Sequence, residues 1–180
     1  MEKKFAIIVV DMINEFVKGK ISAPSAREII PNVQELIKEA KSKNIPIFYC
    51  NDNHTLADPE LVVWGPHAMK DTKESEIIDD LKVETNDYII PKTTYSSFFK
   101  TELNDKLQAL GITDVVVIGA YTDICVKHTV ADAFLNCYKV YVDLDCVAAL
   151  NSDKREEDLE YFKNIYAASL VTHEEVFKLF

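Results

Sequence analysis

The chain has 180 residues, of which 48% are hydrophobic, and a formal net charge of −10 at pH 7. This length suits one domain with a substantial core, and so acidic a chain argues against nucleic acid or an anionic membrane as a partner. No apolar run approaches the roughly 20 residues that a membrane-spanning helix needs. The four cysteines form no C-x-x-C pair, so we expect free thiols in a reducing cytoplasm.

The N-terminal half alternates short apolar runs with amphipathic stretches. The run Phe5–Val10 predicts a strand that begins almost at once, so we expect no signal peptide. Apolar residues at helical spacing predict a helix from Ser25 to Lys43, and Ile45–Cys50 predicts the next strand. Residues 51–70 show no clear period, and a loop of this length in a compact domain is usually functional.

The C-terminal half continues the alternation of strands and helices. Helices are predicted at residues 75–81, 98–110, 123–136 and 153–166, and strands at 88–90, 115–118, 139–142 and 169–171. A capping-box pattern from Thr172 to Glu175 predicts a final helical turn. We therefore predict an α/β fold with βαβ units: a single domain, residues 1–180, built as a three-layer α/β/α sandwich with a mostly parallel central sheet.

The stretch from Val115 to Val126 reads as a buried strand, a break at Gly119 and a helix for which Thr122 is the expected N-cap. Cys125 falls in the first turn of that helix. There, unpaired N–H groups and the helix dipole favour a thiolate and could hold an oxyanion. The alternative is that Cys125 is an inert packing residue near a helix start.

Polar residues follow several predicted strands, and in an open parallel sheet such residues meet outside the carboxyl ends of the strands. Asp11 is either a general base for a nearby thiol or a strand-end residue that bonds to turn amides. Lys92, directly after Pro91, is either a partner that keeps Asp11 ionised or a solvated loop lysine.

Asp52 and His54 lie two residues apart where the chain leaves a strand, so their side chains can approach one cation. Asp58, Glu60 and His67 lie further along the same loop. Oxygen and nitrogen ligands of this kind suit zinc, iron or manganese. The competing interpretation is a polar surface loop whose histidines have no shared role.

Phe16 and Trp64 are the aromatic residues nearest to these positions, and packing is their ordinary role, although Trp64 could stack on a flat ligand. His128 stands three residues after Cys125, but no third group is evident to orient it, so we interpret it as structural. The remaining cysteines lie in or beside apolar runs and are interpreted as core residues: Cys50, Cys137 and Cys146.

Five motifs, taken together and in this order, resemble those of the isochorismatase-like cysteine hydrolases and, within them, the nicotinamidase branch. Each motif alone is weak, whereas their joint order and spacing are specific, and they extend through essentially the whole chain. The motifs are V-V-D-M-x-N-x-F (residues 9–16), D-x-H (52–54), W-x-x-H (64–67), K-x-x-Y-S-x-F (92–98) and G-A-Y-T-D-I-C-V (119–126).

The resemblance implies a catalytic triad of Cys125, Asp11 and Lys92. It also implies a cis peptide bond between Ala120 and Tyr121, which aims the N–H groups of Tyr121 and Cys125 into an oxyanion hole. Tyr121 is bulkier than the small residue often found at its position in the family, and this difference would narrow or reshape the pocket.

For ligands, the resemblance implies a divalent metal, zinc before iron or manganese, held by Asp52, His54 and His67. We prefer Glu60 to Asp58 as a fourth metal ligand. The substrate-binding residues that the resemblance implies are Phe16, Trp64 and Tyr121.

The implied reaction is amide hydrolysis through a thioester, with nicotinamide as the leading substrate, converted to nicotinate and ammonia. The alternatives are hydrolysis of another small amide or ureido compound, vinyl-ether hydrolysis of the isochorismatase type, which needs no thiol, and a non-catalytic binding protein that kept the fold. Because the family often forms dimers or tetramers, we expect a homo-oligomer.

Overall fold

The protein is described here by a computed structural model that covers residues 3–180. Its centre is a parallel sheet of six strands in the order β3-β2-β1-β4-β5-β6. β1, β2 and β4 are buried along their whole length, which explains their continuous apolar sequence. The strands are β1 (Phe5–Val10), β2 (Ile47–Asp52), β3 (Tyr88–Lys92), β4 (Asp114–Ala120), β5 (Lys139–Ala148) and β6 (Ser169–Val171).

Helices cover both faces of the sheet, and each face has its own apolar core. The helices are α1 (Asn14–Lys18), α2 (Pro24–Glu28), α3 (Ile30–Ser42), α4 (Leu61–Trp64), α5 (Leu103–Ala109), α6 (Cys125–Leu135), α7 (Arg155–Tyr166) and α8 (His173–Phe177). One core includes residues of α3 and α8, and the other includes residues of α5, α6 and α7. The predicted α/β/α sandwich is therefore confirmed. Among the described helices, none is both long and apolar enough to cross a membrane.

Two helix predictions were wrong in their extent. The helix predicted from Ser25 to Lys43 is divided into α2 and α3, because Pro31 lacks the N–H that a continuous helix would need. The predicted helix at residues 98–110 begins only at Leu103.

The helix predicted at residues 75–81 is absent. A short 3-10 turn at Lys73–Ser75 leads instead into an extended segment, in which Ile77 pairs with Ile13 in an antiparallel bridge. Ile78 and Leu81, whose apolar side chains suggested the buried face of a helix, are buried here without forming one.

β4 does not stop at Gly119 but continues to Ala120. Gly119 has φ of +111°, and a Cβ there would lie only 2.1 Å from the carbonyl oxygen of Val10. The missing side chain therefore lets the end of β4 approach the end of β1 closely. This approach brings the strand that leads to Cys125 beside the strand that leads to Asp11.

The expected cap of α6 was also wrong. The helix begins at Cys125 and its N-cap residue is Ile124. Among residues 3–180, no side chain caps this helix, and the buried hydroxyl of Thr122 has no hydrogen-bond partner. The Asp123 carboxylate instead accepts hydrogen bonds from the N–H groups of Leu150 and Asn151, at 2.9 and 3.0 Å. The turn before Cys125 is thus attached to the chain that follows β5.

At the C-terminus, the capping box between Thr172 and Glu175 is present as predicted. His173 also attaches α8 to the sheet, since its Nδ1 lies 2.9 Å from the buried carboxylate of Asp143. Cys146, 3.6 Å from the same Nδ1, is buried as predicted. Cys50 is buried as well, whereas Cys137 is exposed because it lies in the turn after α6 with φ of +66°.

Candidate active site

Three side chains surround the ammonium group of Lys92: Asp11 and Asp52 at the ends of strands, and Cys125 at the start of α6. Lys92 Nζ lies 2.7 Å from Asp11 Oδ2, 2.5 Å from Asp52 Oδ1 and 3.7 Å from Cys125 Sγ. All four side chains are almost completely buried. A buried lysine between two carboxylates is held in one position, because each charge needs the other to offset its loss of hydration.

Both the backbone conformation of Asp11 and the contacts of its side chain fix the position of its carboxylate. Asp11 has φ of +52°, a left-handed conformation that non-glycine residues rarely adopt and that is costly to hold. Its Oδ1 accepts a hydrogen bond of 2.8 Å from the N–H of Asp52, which leaves Oδ2 facing Lys92. The carboxylate is therefore oriented from both sides.

Burial acts on the pKa of the Cys125 thiol in the direction opposite to the helix start. Burial raises the pKa of the Cys125 thiol well above its usual value, although Lys92 partly opposes this effect. Burial and the charge of Asp52 raise the pKa of Asp11 to about 7. The Asp11 and Asp52 carboxylates hold the pKa of Lys92 well above its usual value, despite the opposing effect of burial. Burial thus opposes ionisation of the thiol, and Asp11, whose carboxylate lies within 4.8 Å of Cys125 Sγ, is placed to exchange a proton with it.

Two backbone N–H groups lie beside the thiol. The peptide bond between Ala120 and Tyr121 is cis. Within residues 3–180, the N–H groups of Tyr121 and Cys125 donate no hydrogen bond, whereas those of Thr122, Ile124 and Val126 each have an acceptor. Unpaired donors next to a nucleophile are the arrangement that an oxyanion hole needs.

A second polar group lies next to the first and shares Asp52 with it. One ligand atom from each of Asp52, His54, Glu60 and His67 lies within 4.8 Å of all the others, and all four residues are buried. His54 Nε2 is 3.5 Å from Asp52 Oδ2, and His67 Nε2 is 3.6 Å from Glu60 Oε1. The loop at residues 51–70 is therefore not a polar surface loop with incidental histidines.

The outer nitrogens of both histidines have oxygen neighbours. His54 Nδ1 lies 3.3 Å from Asp58 Oδ2, and His67 Nδ1 lies 2.9 Å from the carbonyl oxygen of Gly65. Contacts of this kind orient a histidine so that its Nε2 lone pair faces a metal. Asp58 thus lies behind His54, and Glu60 occupies the inner position.

The donor set fits a divalent cation. Buried atoms of Asp52, His54 and Glu60 (Oδ2, Nε2 and Oε2) have no hydrogen-bond partner among the described residues. Unpaired buried polar atoms of this kind are rare unless another group satisfies them. Two imidazole nitrogens and two carboxylates match zinc, and they also suit iron or manganese.

A narrow pocket opens beside these groups. Phe16 and Trp64 both line it, as does Tyr121. The Phe16 ring lies 5.9 Å from the His67 ring and 6.2 Å from the Tyr121 ring. The residues that line the pocket are Asp11, Phe16, Ile21, Glu60, Trp64, His67, Ala120, Tyr121, Ile124 and Cys125.

His128 belongs to neither polar group. Its ring stacks on Tyr95 at 5.3 Å, and burial lowers the pKa of His128. The Tyr95 hydroxyl in turn accepts a hydrogen bond of 3.1 Å from the indole N–H of Trp64. The structural interpretation of His128 agrees with this position, and Tyr95 supports one wall of the pocket.

Sequence reasoning missed two contributions to this site. Asp52 is shared, because one carboxylate oxygen contacts Lys92 and the other faces His54. Ile21 and Ile124 add apolar pocket surface; Ile21 lies in a segment without a motif, whereas Ile124 lies in the motif at residues 119–126 but was given no role. Strand-end position indicated Asp52, but no sequence signal pointed to Ile21.

A parallel sheet with a buried polar group and a pocket at the carboxyl ends of its strands defines an α/β protein that binds its ligand at that edge. The family model described as the isochorismatase domain matches residues 5–175. The chain therefore belongs to the isochorismatase family of hydrolases.

Three relatives illustrate this membership. The structure of N-carbamoylsarcosine amidase from Thermoplasma acidophilum is 38% identical, with a TM-score of 0.90, and the match covers 95% of this chain and 97% of that one. Nicotinamidase 3 of Arabidopsis thaliana is 31% identical over 160 residues, covering 86% of this chain and 78% of the relative. A pyrazinamidase of Pyrococcus horikoshii, solved in complex with zinc, is 29% identical with a TM-score of 0.86, covering 94% and 99%.

Proposed function

We propose that the protein is a metal-dependent cysteine amidohydrolase that acts in the cytoplasm on a small, uncharged, planar amide, with nicotinamide as the leading candidate. The observation that carries this proposal is the contact of Lys92 Nζ with both Asp11 and Cys125, at the base of an aromatic pocket. The unpaired state of all four cysteines supports a reducing compartment.

In the proposed reaction, Asp11 takes the proton of the Cys125 thiol as the sulfur attacks the amide carbonyl carbon. The N–H groups of Tyr121 and Cys125 stabilise the negative oxygen that forms. Asp11 then gives its proton to the departing nitrogen, and ammonia leaves a thioester on Cys125. Water gives a proton to Asp11 as its oxygen attacks this thioester, the C–S bond breaks to release the acid, and Asp11 returns the proton to the sulfur to restore the thiol.

Lys92 keeps the two carboxylates in place throughout this sequence, because its positive charge faces both. The metal, held by Asp52, His54, Glu60 and His67, would supply a Lewis-acidic position at the side of the pocket for a ring nitrogen. These four residues combine imidazole and carboxylate ligands, so we propose zinc before iron or manganese.

The pocket favours an uncharged substrate. Its ionisable lining groups are Asp11, Glu60, His67, Tyr121 and the thiol, and no lysine or arginine of the described chain lines it. Apolar and aromatic side chains form the remaining wall, so a substrate carboxylate held against that wall, away from the proposed metal position, would lose its hydration without a cationic side chain to offset that loss.

A ureido acid is the second candidate substrate, because the structural relative that acts on one, N-carbamoylsarcosine amidase, is 38% identical to this chain. The same thiol and oxyanion donors would attack its carbamoyl group. The two candidates differ in the charge of the group that occupies the pocket, and this difference makes them separable.

Ammonia release from a panel of amides tests the substrate. With metal-loaded protein, we expect nicotinamide and pyrazinamide to be hydrolysed with kcat/KM at least about 100-fold above that for N-carbamoylsarcosine, since a carboxylate buried against the apolar wall costs about 3 kcal/mol or more. Faster hydrolysis of N-carbamoylsarcosine would replace nicotinamide with a ureido acid as the substrate. Hydrolysis of neither class would contradict the amidohydrolase proposal.

Metal content tests the second polar group. Protein purified without a metal-affinity tag is expected to hold about one zinc, iron or manganese ion per chain by elemental analysis. His54→Ala and His67→Ala should lose this metal, because each removes an inward-facing nitrogen. His128→Ala is the matched control and should retain it. Equal metal content in all three variants would contradict the site.

A further inference from the structure

The hydroxyl group of Tyr121 makes contacts that the proposed reaction does not use. It donates a hydrogen bond of 2.5 Å to the carbonyl oxygen of Phe16, and the carbonyl oxygen of Ile21 lies 3.2 Å away. It also accepts a hydrogen bond of 2.9 Å from the N–H of Ala23. Tyr121 is only 2% exposed. One buried hydroxyl therefore connects the end of β4 with the segment that carries the Phe16 wall of the pocket.

The carbonyl of Phe16 needs this external donor. Phe16 lies in α1, a helix of only five residues, where the next N–H in helical register would be that of Lys20. That N–H donates instead to Glu15 Oε1 at 2.9 Å, and the N–H of Ile21 approaches the same oxygen at 3.2 Å. The Tyr121 hydroxyl thus provides the hydrogen bond that helix geometry does not supply.

The hydroxyl stays protonated, and hence a donor, over the physiological pH range. Burial raises the pKa of Tyr121 to about 12. Its ring also packs edge-on against the Phe16 ring, at 6.2 Å between centroids. Ring and hydroxyl together restrict both the backbone and the side chain of Phe16.

We propose that Tyr121, through its hydroxyl, is a specificity-determining positioning residue that fixes the Phe16 wall and thereby selects planar over non-planar amides. This inference rests on the proposed function, because it assigns a selective property to the same pocket. Phe16 and Trp64 both line a narrow pocket, so a Phe16 wall held in place favours a flat ring over a saturated ring of similar size, which is thicker. If Phe16 were free to move, a flat ring would lose contact with it, and a thicker ring would be excluded less strictly.

The test compares Tyr121→Phe with Tyr138→Phe. The control removes a hydroxyl that also makes a hydrogen bond, to Asn104 Oδ1 at 2.9 Å, but that lies outside the pocket. Trp64 is the single tryptophan of the chain and lines the pocket, so its fluorescence reports occupancy without any turnover. Benzamide and cyclohexanecarboxamide serve as a planar and a saturated probe, titrated into variants that also carry Cys125→Ala.

We expect Tyr121→Phe to weaken benzamide binding on the order of tenfold and cyclohexanecarboxamide binding by less than about twofold, so that planar preference falls. Tyr138→Phe should leave the preference unchanged. Equal weakening of both probes would mean that Tyr121 only stabilises the fold, and unchanged binding of both would mean that its hydroxyl has no role. Either result overturns the proposal.

A double-mutant cycle shows whether the effect passes through Phe16. In a Phe16→Leu background, the further change Tyr121→Phe should alter benzamide binding by less than about twofold, because the wall it positions is already gone. A full tenfold effect in that background would contradict the proposal that Tyr121 acts through Phe16. Turnover by the Cys125-containing protein is measured separately: if no amide is hydrolysed, the proposed function fails, while the binding data still decide the role of Tyr121.

Discussion

Replacement of Cys125 by alanine is expected to reduce amide hydrolysis by roughly 10⁴-fold or more, the scale on which enzymes lose activity when their nucleophile is removed. The reason is that Sγ forms the bond to the carbonyl carbon, and no other described thiol lines the pocket. The fold should persist, because alanine fills most of the buried space. Ammonia release under saturating substrate measures the effect.

The matched control for this change is Cys146→Ala. Cys146 is also a buried free thiol, but it lies beside His173 and outside the pocket. Its loss should leave kcat within about threefold of the wild-type value, because the change alters local packing around residue 146 and none of the reacting groups. A Cys125→Ala protein that kept more than a few per cent of the wild-type rate would exclude the thioester route, whatever the control does.

Replacement of Lys92 by methionine is expected to destabilise the fold by about 3–5 kcal/mol and to reduce turnover at least about 100-fold. Methionine keeps the length of the side chain but leaves the Asp11 and Asp52 carboxylates facing each other in a buried site without the shared cation. Urea unfolding followed by circular dichroism measures the stability change, and ammonia release measures the turnover.

A surface ion pair provides the comparison for Lys92. Lys18 lies 2.8 Å from Asp80, but both side chains are largely exposed, and water screens their attraction. Lys18→Met should therefore change stability by no more than about 1 kcal/mol. If Lys92→Met and Lys18→Met were equally mild, the buried triad would not depend on charge pairing, and the assigned role of Lys92 would be wrong.

The sheet-edge position of the site was predictable from the sequence because strand ends can be located from apolar runs. Asp11, Asp52 and Lys92 each end or directly follow such a run, and parallel strands bring these ends together. The division of the helix after Ser25 was also readable, since Pro31 is a recognised break. The helical spacing of apolar residues continues across Pro31, so this spacing alone predicted one undivided helix.

Other features depend on contacts between distant parts of the chain. The prediction of a helix at residues 75–81 was wrong because Ile77 pairs with Ile13, and local residue spacing cannot reveal such a distant contact. The predicted cap of α6 was wrong because Asp123 bonds to the chain after β5, while the Thr122 hydroxyl has no hydrogen-bond partner among the described residues. The hydrogen bond between Tyr121 and Phe16 joins residues 105 positions apart, so no local pattern could indicate it.

The central claim is that Cys125 carries the acyl group of an amide substrate during turnover. Rapid acid quench of metal-loaded protein with nicotinamide, followed by peptide mass spectrometry, tests it most directly. We predict a mass increase equal to one nicotinoyl group on the peptide that contains Cys125, absent from the Cys125→Ala protein and removed by hydroxylamine. Steady ammonia release with no adduct on Cys125 under any quench time, or an adduct on another residue, would contradict the account.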